Sequence, residues 1–286
     1  MDTINSTITS TTYQLLRQSV IQAPEFFPVD SDELFVKAGV EKKFRTFHEK
    51  DLNVPSGTSM KVAVAYPTDK KPKIAPLREK TMSYIKQLER ERGLSIQITE
   101  FFFKVKDTGV GEQPLHPEGF VGALNRIYYI QDSLLGNRKW EQATFTQPAI
   151  QDFCRIIIPS LESDLYRNPE WMYDKPNVIF YECMTGHFVA GMGTGPCVEE
   201  DILQLAQRLG VAFFDDPGAV TYGKMLQALF PQSKIDHADW HGVVCRHPGT
   251  GEERDRASFI KELCEALSRE LAEFCEKVFK KMLFKY

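Results

Sequence analysis

The stretch MKVAVAYPTDKKPKIAPLREKTMSYIKQLERERGLSIQITEFFFKV, Met60 to Val105, decides the fold. It opens with a short β-rich run, Lys61–Tyr66, that ends at Pro67, and this predicts a strand followed by a turn. From Ile74 to Arg92 the apolar residues Leu77, Met82, Ile85 and Leu88 stand among many Lys, Arg and Glu, the pattern of an amphipathic surface helix, and Gly93 closes it. Leu94 to Val105, with Ile96, Ile98 and Phe101-Phe102-Phe103, reads as a second strand. Strand, helix and strand in that order predict a right-handed βαβ unit and an α/β fold in which helices cover a sheet.

Upstream, residues 1–59 read as an N-terminal extension. It begins with a Ser/Thr/Asn-rich leader, Asn5 to Thr12, that offers little to a core, and two short helical patterns follow at Tyr13–Ile21 and Ser31–Lys43. Downstream, residues 60–286 read as one domain. A polar loop, Asp107–His116, leads into a helix carrying Gly122-Ala123-Leu124-Asn125-Arg126. Cys154–Ile158 and Val178–Cys183 look like buried strands, and Gly186–Pro196 like a glycine-rich turn. Glu199–Leu209 forms a helix ended by Gly210. Phe259, Leu263, Leu267, Leu271, Phe274, Val278 and Met282 recur at three- or four-residue spacing and predict one long C-terminal helix.

The bulk numbers agree with one sizeable core: 286 residues, of which 42% are hydrophobic, fall within the single-domain range. Acidic and basic residues are evenly mixed at a formal net charge of −4, so no basic stripe offers itself to a nucleic-acid backbone. The N-terminus has neither the basic nor the apolar region of a signal peptide, and no run reaches the roughly 18 apolar residues of a membrane span. A cytoplasmic protein with no membrane partner is expected. Cys154, Cys183, Cys197, Cys245, Cys264 and Cys275 form no CxxC pair, which predicts reduced, buried thiols.

Three patterns bear on chemistry without settling it. Gly191-Met192-Gly193-Thr194-Gly195-Pro196 lacks the Gly-Lys-Ser/Thr of a P-loop, and a structural turn is the simpler reading. His237 and His241 are four apart and would share a helix face, but with no HExxH glutamate they read better as hydrogen-bonded or surface histidines than as ligands. Glu118, Asn125 and Arg126 flank Gly122-Ala123, while Glu162 and Asp164 follow the apolar run Ile156–Ile158 at the predicted end of a strand, where open α/β sheets place their sites. Solvated carboxylates and a gathered site both remain open readings of these acids.

In order, these segments resemble the inosine/xanthosine triphosphatase family, a domain also found in eukaryotic proline-rich coiled-coil proteins, from Met60 to about Leu267. The strand, Pro67-Thr68-Asp69 turn and Lys73 are similar to the family's opening. Gly109-Val110-Gly111-Glu112-Gln113-Pro114, then Glu118, then Gly122-Ala123-Leu124-Asn125-Arg126, match its Gly-Val…Gln-Pro…Glu…Gly-Ala-x-Asn-Arg stretch. Ile157-Ile158-Pro159-Ser160-Leu161-Glu162 is similar to its strand ending in Gly-Ile-Glu, Gly191–Pro196 to a hairpin before its next helix, and Arg254 or Arg256 to its closing arginine. The departures are Asp69 where the family carries a phosphate-contacting Asn, Ser160-Leu161 in place of Gly-Ile, and an insert from Leu134 to Gln151.

The resemblance implies a mixed sheet with covering helices and a central cleft. It further implies Mg²⁺-dependent hydrolysis of inosine or xanthosine triphosphate, with Mn²⁺ as the alternative ion, and a homodimer. Glu118 and Glu162 would hold the metal and do the catalysis, and Thr68, Asp69, Lys73, Asn125, Arg126, Arg254 and Arg256 would bind the nucleotide. A scaffold that keeps the fold without catalysis is the alternative.

Overall fold

The computed structural model describes residues 59–105, 108–134, 153–169, 171–183, 186–210, 220–245 and 250–280. The expected helices at Tyr13–Ile21 and Ser31–Lys43, and most of the Leu134–Gln151 insert, lie outside them. The elements are β1 (Ser59–Tyr66), α1 (Lys71–Arg92), β2 (Ser95–Phe102), α2 (Glu118–Leu134), β3 (Arg155–Arg167), β4 (Met172–Glu182), β5 (Phe188–Met192), β6 (Cys197–Val198), α3 (Glu200–Arg208), α4 (Tyr222–Leu229), α5 (His241–Val244), α6 (Arg256–Ala266) and α7 (Ser268–Lys280).

The six strands make one mixed sheet in the order β2-β1-β3-β4-β5, with β6 added to β4. β1 runs parallel to β2 from Ser59↔Ser95 to Tyr66↔Phe102, and parallel to β3 from Val62↔Arg155 to Val64↔Ile157. β3, β4 and β5 then fold back antiparallel. The expected strand–helix–strand unit is therefore present, with α1 linking two parallel neighbours. Gly93 closes α1 with φ 63, a left-handed conformation that costs glycine little.

Period-two alternation in β1 assigns the two faces. Val62 and Val64 pack with Leu77, Ile85 and Leu88 of α1 and with Ile260, Leu263, Leu271 and Phe274 of α6 and α7. Ala63 and Ala65 face Phe120, Leu124, Ile127 and Ile130 of α2. A third cluster around α3 and α4 is built on Ile202, Tyr222, Leu226, Trp240 and Phe259. Among the described residues, no helix is long and apolar enough to cross a membrane.

Several expectations need correction. β3 and β4 run well beyond Cys154–Ile158 and Val178–Cys183, to 13 and 11 residues. The extra length contains Glu162, Ser163, Asp164, Asp174, Lys175 and Asn177, all buried, and this polarity hid the strands from a hydrophobicity reading. Glu162 and Asp164 accordingly lie within a strand, not after its end. Gly186–Pro196 is not all turn, because β5 occupies its middle; Gly191 lets β5 meet Leu267, whose Cδ2 stands 2.9 Å from where a Cβ would be. The expected single C-terminal helix is two, α6 and α7, parted at Leu267.

Candidate functional site

β1 has a parallel neighbour on each side. The chain reaches β2 through α1 on one face and β3 only after α2 on the other, so the two helices diverge at the carboxyl end of β1. Open α/β sheets bind ligands in the crevice at such a switch point. β3 pairs with β1 only as far as Ile157, so its later residues run on beyond that switch point. Among them, Ser160, Glu162 and Asp164 share one face by strand alternation.

α2 comes unusually close to that face because its first turns carry glycine. A Cβ on Gly122 would stand 3.1 Å from Glu162 Cγ and 2.8 Å from Val110 Cγ2; one on Gly119 would stand 2.7 Å from Asp164 Oδ2. Ser160 Oγ donates to the Ala123 carbonyl at 2.8 Å and fixes the approach. One turn on, Arg126 reaches back to Glu162. Its Nε donates to Oε2 at 2.9 Å, and its Nη2 makes a second bond to the same oxygen. From the other side, Lys73 in the first turn of α1 brings its Nζ to 3.8 Å from Glu162 Oε1. Little solvent reaches the group: the Lys73, Glu162 and Arg126 side chains are 17%, 12% and 13% exposed.

The electrostatics follow from burial. Burial is the largest influence on Lys73 and lowers its pKa to about 8; Glu162 opposes the shift, while Arg256, Arg126 and Lys70 add to it. For Glu162 burial alone would raise the pKa, but Lys73, Arg126 and Arg256 together outweigh it and hold the carboxylate below its ordinary range. The same arginine joins a second buried group. Arg256 Nη2 lies 3.7 Å from Asp174 Oδ2, and His241 Nε2 lies 3.5 Å from the same oxygen. Burial pushes the Asp174 pKa up, but His241, Arg256 and Lys73 bring it below normal; His241 is lowered, chiefly by burial. Asp239 Oδ1 accepts from the Arg256 backbone N–H at 2.9 Å, and Gln113 Nε2 donates to Asp174 Oδ1 at 3.5 Å.

Four of the residues expected at the site thus converge: Lys73, Arg126, Glu162 and Arg256. The others sit elsewhere in this geometry. Thr68 Oγ1 accepts from the Lys70 N–H at 3.2 Å and shapes the β1–α1 turn. Asp69 is half-exposed and stands 3.8 Å from Lys104 Nζ. Asn125 Nδ2 donates to the Thr108 carbonyl at 2.7 Å and braces the loop before α2. Glu118 is exposed at the start of α2, where its Oε2 accepts from the Leu115 N–H at 3.4 Å. Of the two candidate arginines, Arg254 is bound to Glu262 and lies over the Phe259 ring at 4.2 Å, so Arg256 alone of the pair touches the cluster. His237 and His241 do not share a helix face: His237 is in an exposed turn near Asp236, and His241 is buried at the start of α5.

Sequence reasoning did not find Asp174, Asn177, His241 or His116 as parts of this region. The available signal was the alternation of polar residues at 160, 162 and 164 opposite 175 and 177, which is a strand pattern with its polar face inward. Several buried atoms here have no hydrogen-bond partner among the described residues: Asp164 Oδ1, Asp174 Oδ2, Asn177 Oδ1, His241 Nδ1, Arg254 Nε and Arg256 Nε. Such atoms are rare in folded proteins and each calls for a reason.

The donor set does not fit a resident Mg²⁺ or Mn²⁺. Hard cations take carboxylate oxygens, yet Glu162 is already engaged by Lys73 and Arg126, and Glu118 is an exposed helix-end residue. Among the described residues no group of three or more His, Cys, Asp or Glu is placed to hold a metal.

No family model matches the sequence, and no curated protein matches it. Among solved structures the chain is similar to the crystal structure of protein VC0702 from Vibrio cholerae, at 12% identity and a TM-score of 0.43, over 75% of this chain and 96% of that one. A likeness that remote transfers no activity, and the function has to be argued from the residues above.

Proposed function

We propose that the crevice at the end of β1 binds the phosphates of a nucleoside triphosphate and hydrolyses it, with inosine or xanthosine triphosphate as the substrates the sequence resemblance implies. The observation that supports this reading most is the convergence of three cations, Lys73, Arg126 and Arg256, on two carboxylates, Glu162 beside Lys73 and Arg126 and Asp174 beside Arg256. Glu162 holds the positions of its partners in the free protein, as an anionic ligand would when bound. A triphosphate entering the crevice offers Arg126 a bidentate acceptor and Lys73 a point charge to answer. The carboxylate released from these partners is then a hydrogen-bond acceptor beside the phosphates, able to orient an attacking water. Divalent metal belongs to the substrate in this scheme, arriving on the phosphates, and no step is assigned to an ion held by the protein.

The experiment is release of phosphate or pyrophosphate from inosine, xanthosine, guanosine and adenosine triphosphates, each with Mg²⁺ and with chelator. Turnover of the 6-oxo purines, reduced at least ~10²-fold by Glu162→Gln, is expected. Absence of turnover with all four nucleotides refutes the hydrolase.

A second reading keeps the fold and drops catalysis, and one observation favours it: Glu162 is fully paired, as in a structural ion cluster. Under that reading nucleotides neither bind nor turn over, and the fold serves as an interaction module.

A further inference from the structure

Two residues along β3 from Glu162, on the same face and about 7 Å away by strand geometry, Asp164 is completely buried. Its Oδ2 accepts the Gly119 N–H at 3.2 Å and lies 3.1 Å from Nδ1 of His116. A carboxylate only accepts, so the shared proton belongs to the imidazole, and the pair fixes the tautomer that carries hydrogen on Nδ1. The lone pair is therefore on Nε2. Among the described residues the hydrogen bond of the His116 ring is the one at Nδ1, and the His116 side chain is 26% exposed, whereas Asp164 is sealed. The ring is also held edgewise between Tyr166, at 5.2 Å between centroids, and Phe120, at 6.4 Å. The second oxygen of Asp164, Oδ1, is buried without a hydrogen-bond partner among the described residues, and Lys175 opposite it on β4 supplies the nearby positive charge.

A surface histidine needs none of this. An imidazole oriented by a buried carboxylate, with its other nitrogen unpaired, is the arrangement by which a side chain takes a proton from a reacting water. Gly119 and Gly122 press the same two turns of α2 against Asp164 and Glu162, so one rigid element packs against both carboxylates.

We infer that His116, held by Asp164, is the general base of the hydrolysis proposed for this crevice. The inference rests on that reading of the site. In the step, His116 Nε2 takes a proton from a water molecule as the water oxygen bonds to phosphorus. The phosphoanhydride P–O bond breaks, and its electron pair leaves with the departing phosphate oxygen. The imidazolium then gives its proton to that leaving group. Asp164 touches no reacting atom and is a positioning residue.

The test uses the full chain and inosine triphosphate with Mg²⁺. Three variants, His116→Gln, His116→Ala and Asp164→Asn, are compared with the parent for kcat, KM and thermal midpoint. A general base predicts that both His116 variants lose kcat by at least ~10²-fold with KM within about threefold, that added imidazole restores part of the rate to His116→Ala alone, and that Asp164→Asn lowers kcat while His116 remains. His116→Gln keeps a hydrogen-bond donor for Asp164 and so guards against simple misfolding. If the parent turns over and His116→Gln does so within twofold of it, or imidazole rescues nothing, His116 is not the base while the hydrolase reading survives. If the parent turns over no nucleotide, both fall together.

Discussion

Replacing Lys73 by arginine separates the anion-binding reading from a purely structural ion cluster, because of the three cations Lys73, Arg126 and Arg256 only the lysine titrates within reach of neutrality. Burial lowers its pKa from 10.5 to about 8, a difference worth about 3 kcal/mol between the charged and neutral forms. A lysine at about 8 is roughly nine-tenths protonated at pH 7 and one-tenth at pH 9, so a site that needs its charge should bind an anion about tenfold more weakly at pH 9. The last phosphate ionisation, at a pKa of about 6, is largely complete at pH 7 and its completion would only strengthen binding to a cation, so the loss comes from the protein. In Lys73→Arg the guanidinium stays charged throughout, and the affinity should then be flat between pH 7 and 9. The assay is calorimetric titration of tripolyphosphate, which has no base to ionise, into each protein at pH 7, 8 and 9 in chelator. Affinity that does not change for the parent, or that falls equally in Lys73→Arg, refutes the assignment. The stability consequence has its own sign. Between about pH 8 and 10.5 the unfolded chain binds the Lys73 proton and the folded one does not, so this group makes the fold more stable as pH rises through that window.

Other perturbations test other parts of the argument. Glu162 has a lowered folded-state pKa, so its contribution is present above the ordinary glutamate value and is lost as pH falls through the folded one. Glu162→Gln strands Arg126 and Lys73 and should cost about 3 kcal/mol at pH 7 in urea denaturation, with the gap to the parent narrowing below about pH 4; a gap independent of pH counts against the ion cluster. Gly195→Ala should destabilise by ~1–3 kcal/mol or more, because its Cβ would lie 1.8 Å from the Asp174 carbonyl oxygen. A thermal midpoint unchanged by Gly195→Ala would show that β4 and the loop before β6 are not packed as described.

The first half of the fold was legible because its chemistry is regular. Alternating Val and Ala in β1, a helical stripe at Leu77, Ile85 and Leu88, and a closing glycine each announce one element. β3 and β4 were legible only in part. Their outer halves bury Glu162, Asp164, Asp174, Lys175 and Asn177, and a hydrophobicity pattern ends where such residues begin. The break at Leu267 left no mark either, since the apolar spacing runs on through α6 into α7. At the site, Lys73, Arg126 and Glu162 could be named from the motif resemblance because they lie on or next to it. His241 and Asp174 could not, because the chain brings them to Arg256 only through packing between β4, α5 and α6. The choice between Arg254 and Arg256 is likewise a matter of which side chain a neighbouring Glu262 claims.

The polar half of β3 and β4 also bears on whether the crevice exists for a ligand. Burying ion pairs seldom adds stability, since desolvation of the charges offsets their attraction, and an apolar replacement is often neutral or better. Here the protein buries Glu162, Asp164 and Asp174 in adjoining strands and leaves Arg256 Nε, Asp164 Oδ1, Asp174 Oδ2 and His241 Nδ1 without hydrogen-bond partners. A core built for stability alone would place Val or Ile at these strand positions, as it does at Ile156, Ile158, Val178 and Ile179 of the same two strands. In β3 the apolar run Ile156–Ile158 gives way to Ser160, Glu162 and Asp164 where its pairing with β1 stops. Arg155 and Glu182 are buried at the other end of these strands, but the atoms of β3 and β4 left without a hydrogen-bond partner among the described residues, Asp164 Oδ1, Asp174 Oδ2 and Asn177 Oδ1, all lie in this half. Polar groups left unsatisfied in one half of two strands are what a binding site predicts, because real folds break their own packing rules chiefly where they meet a ligand.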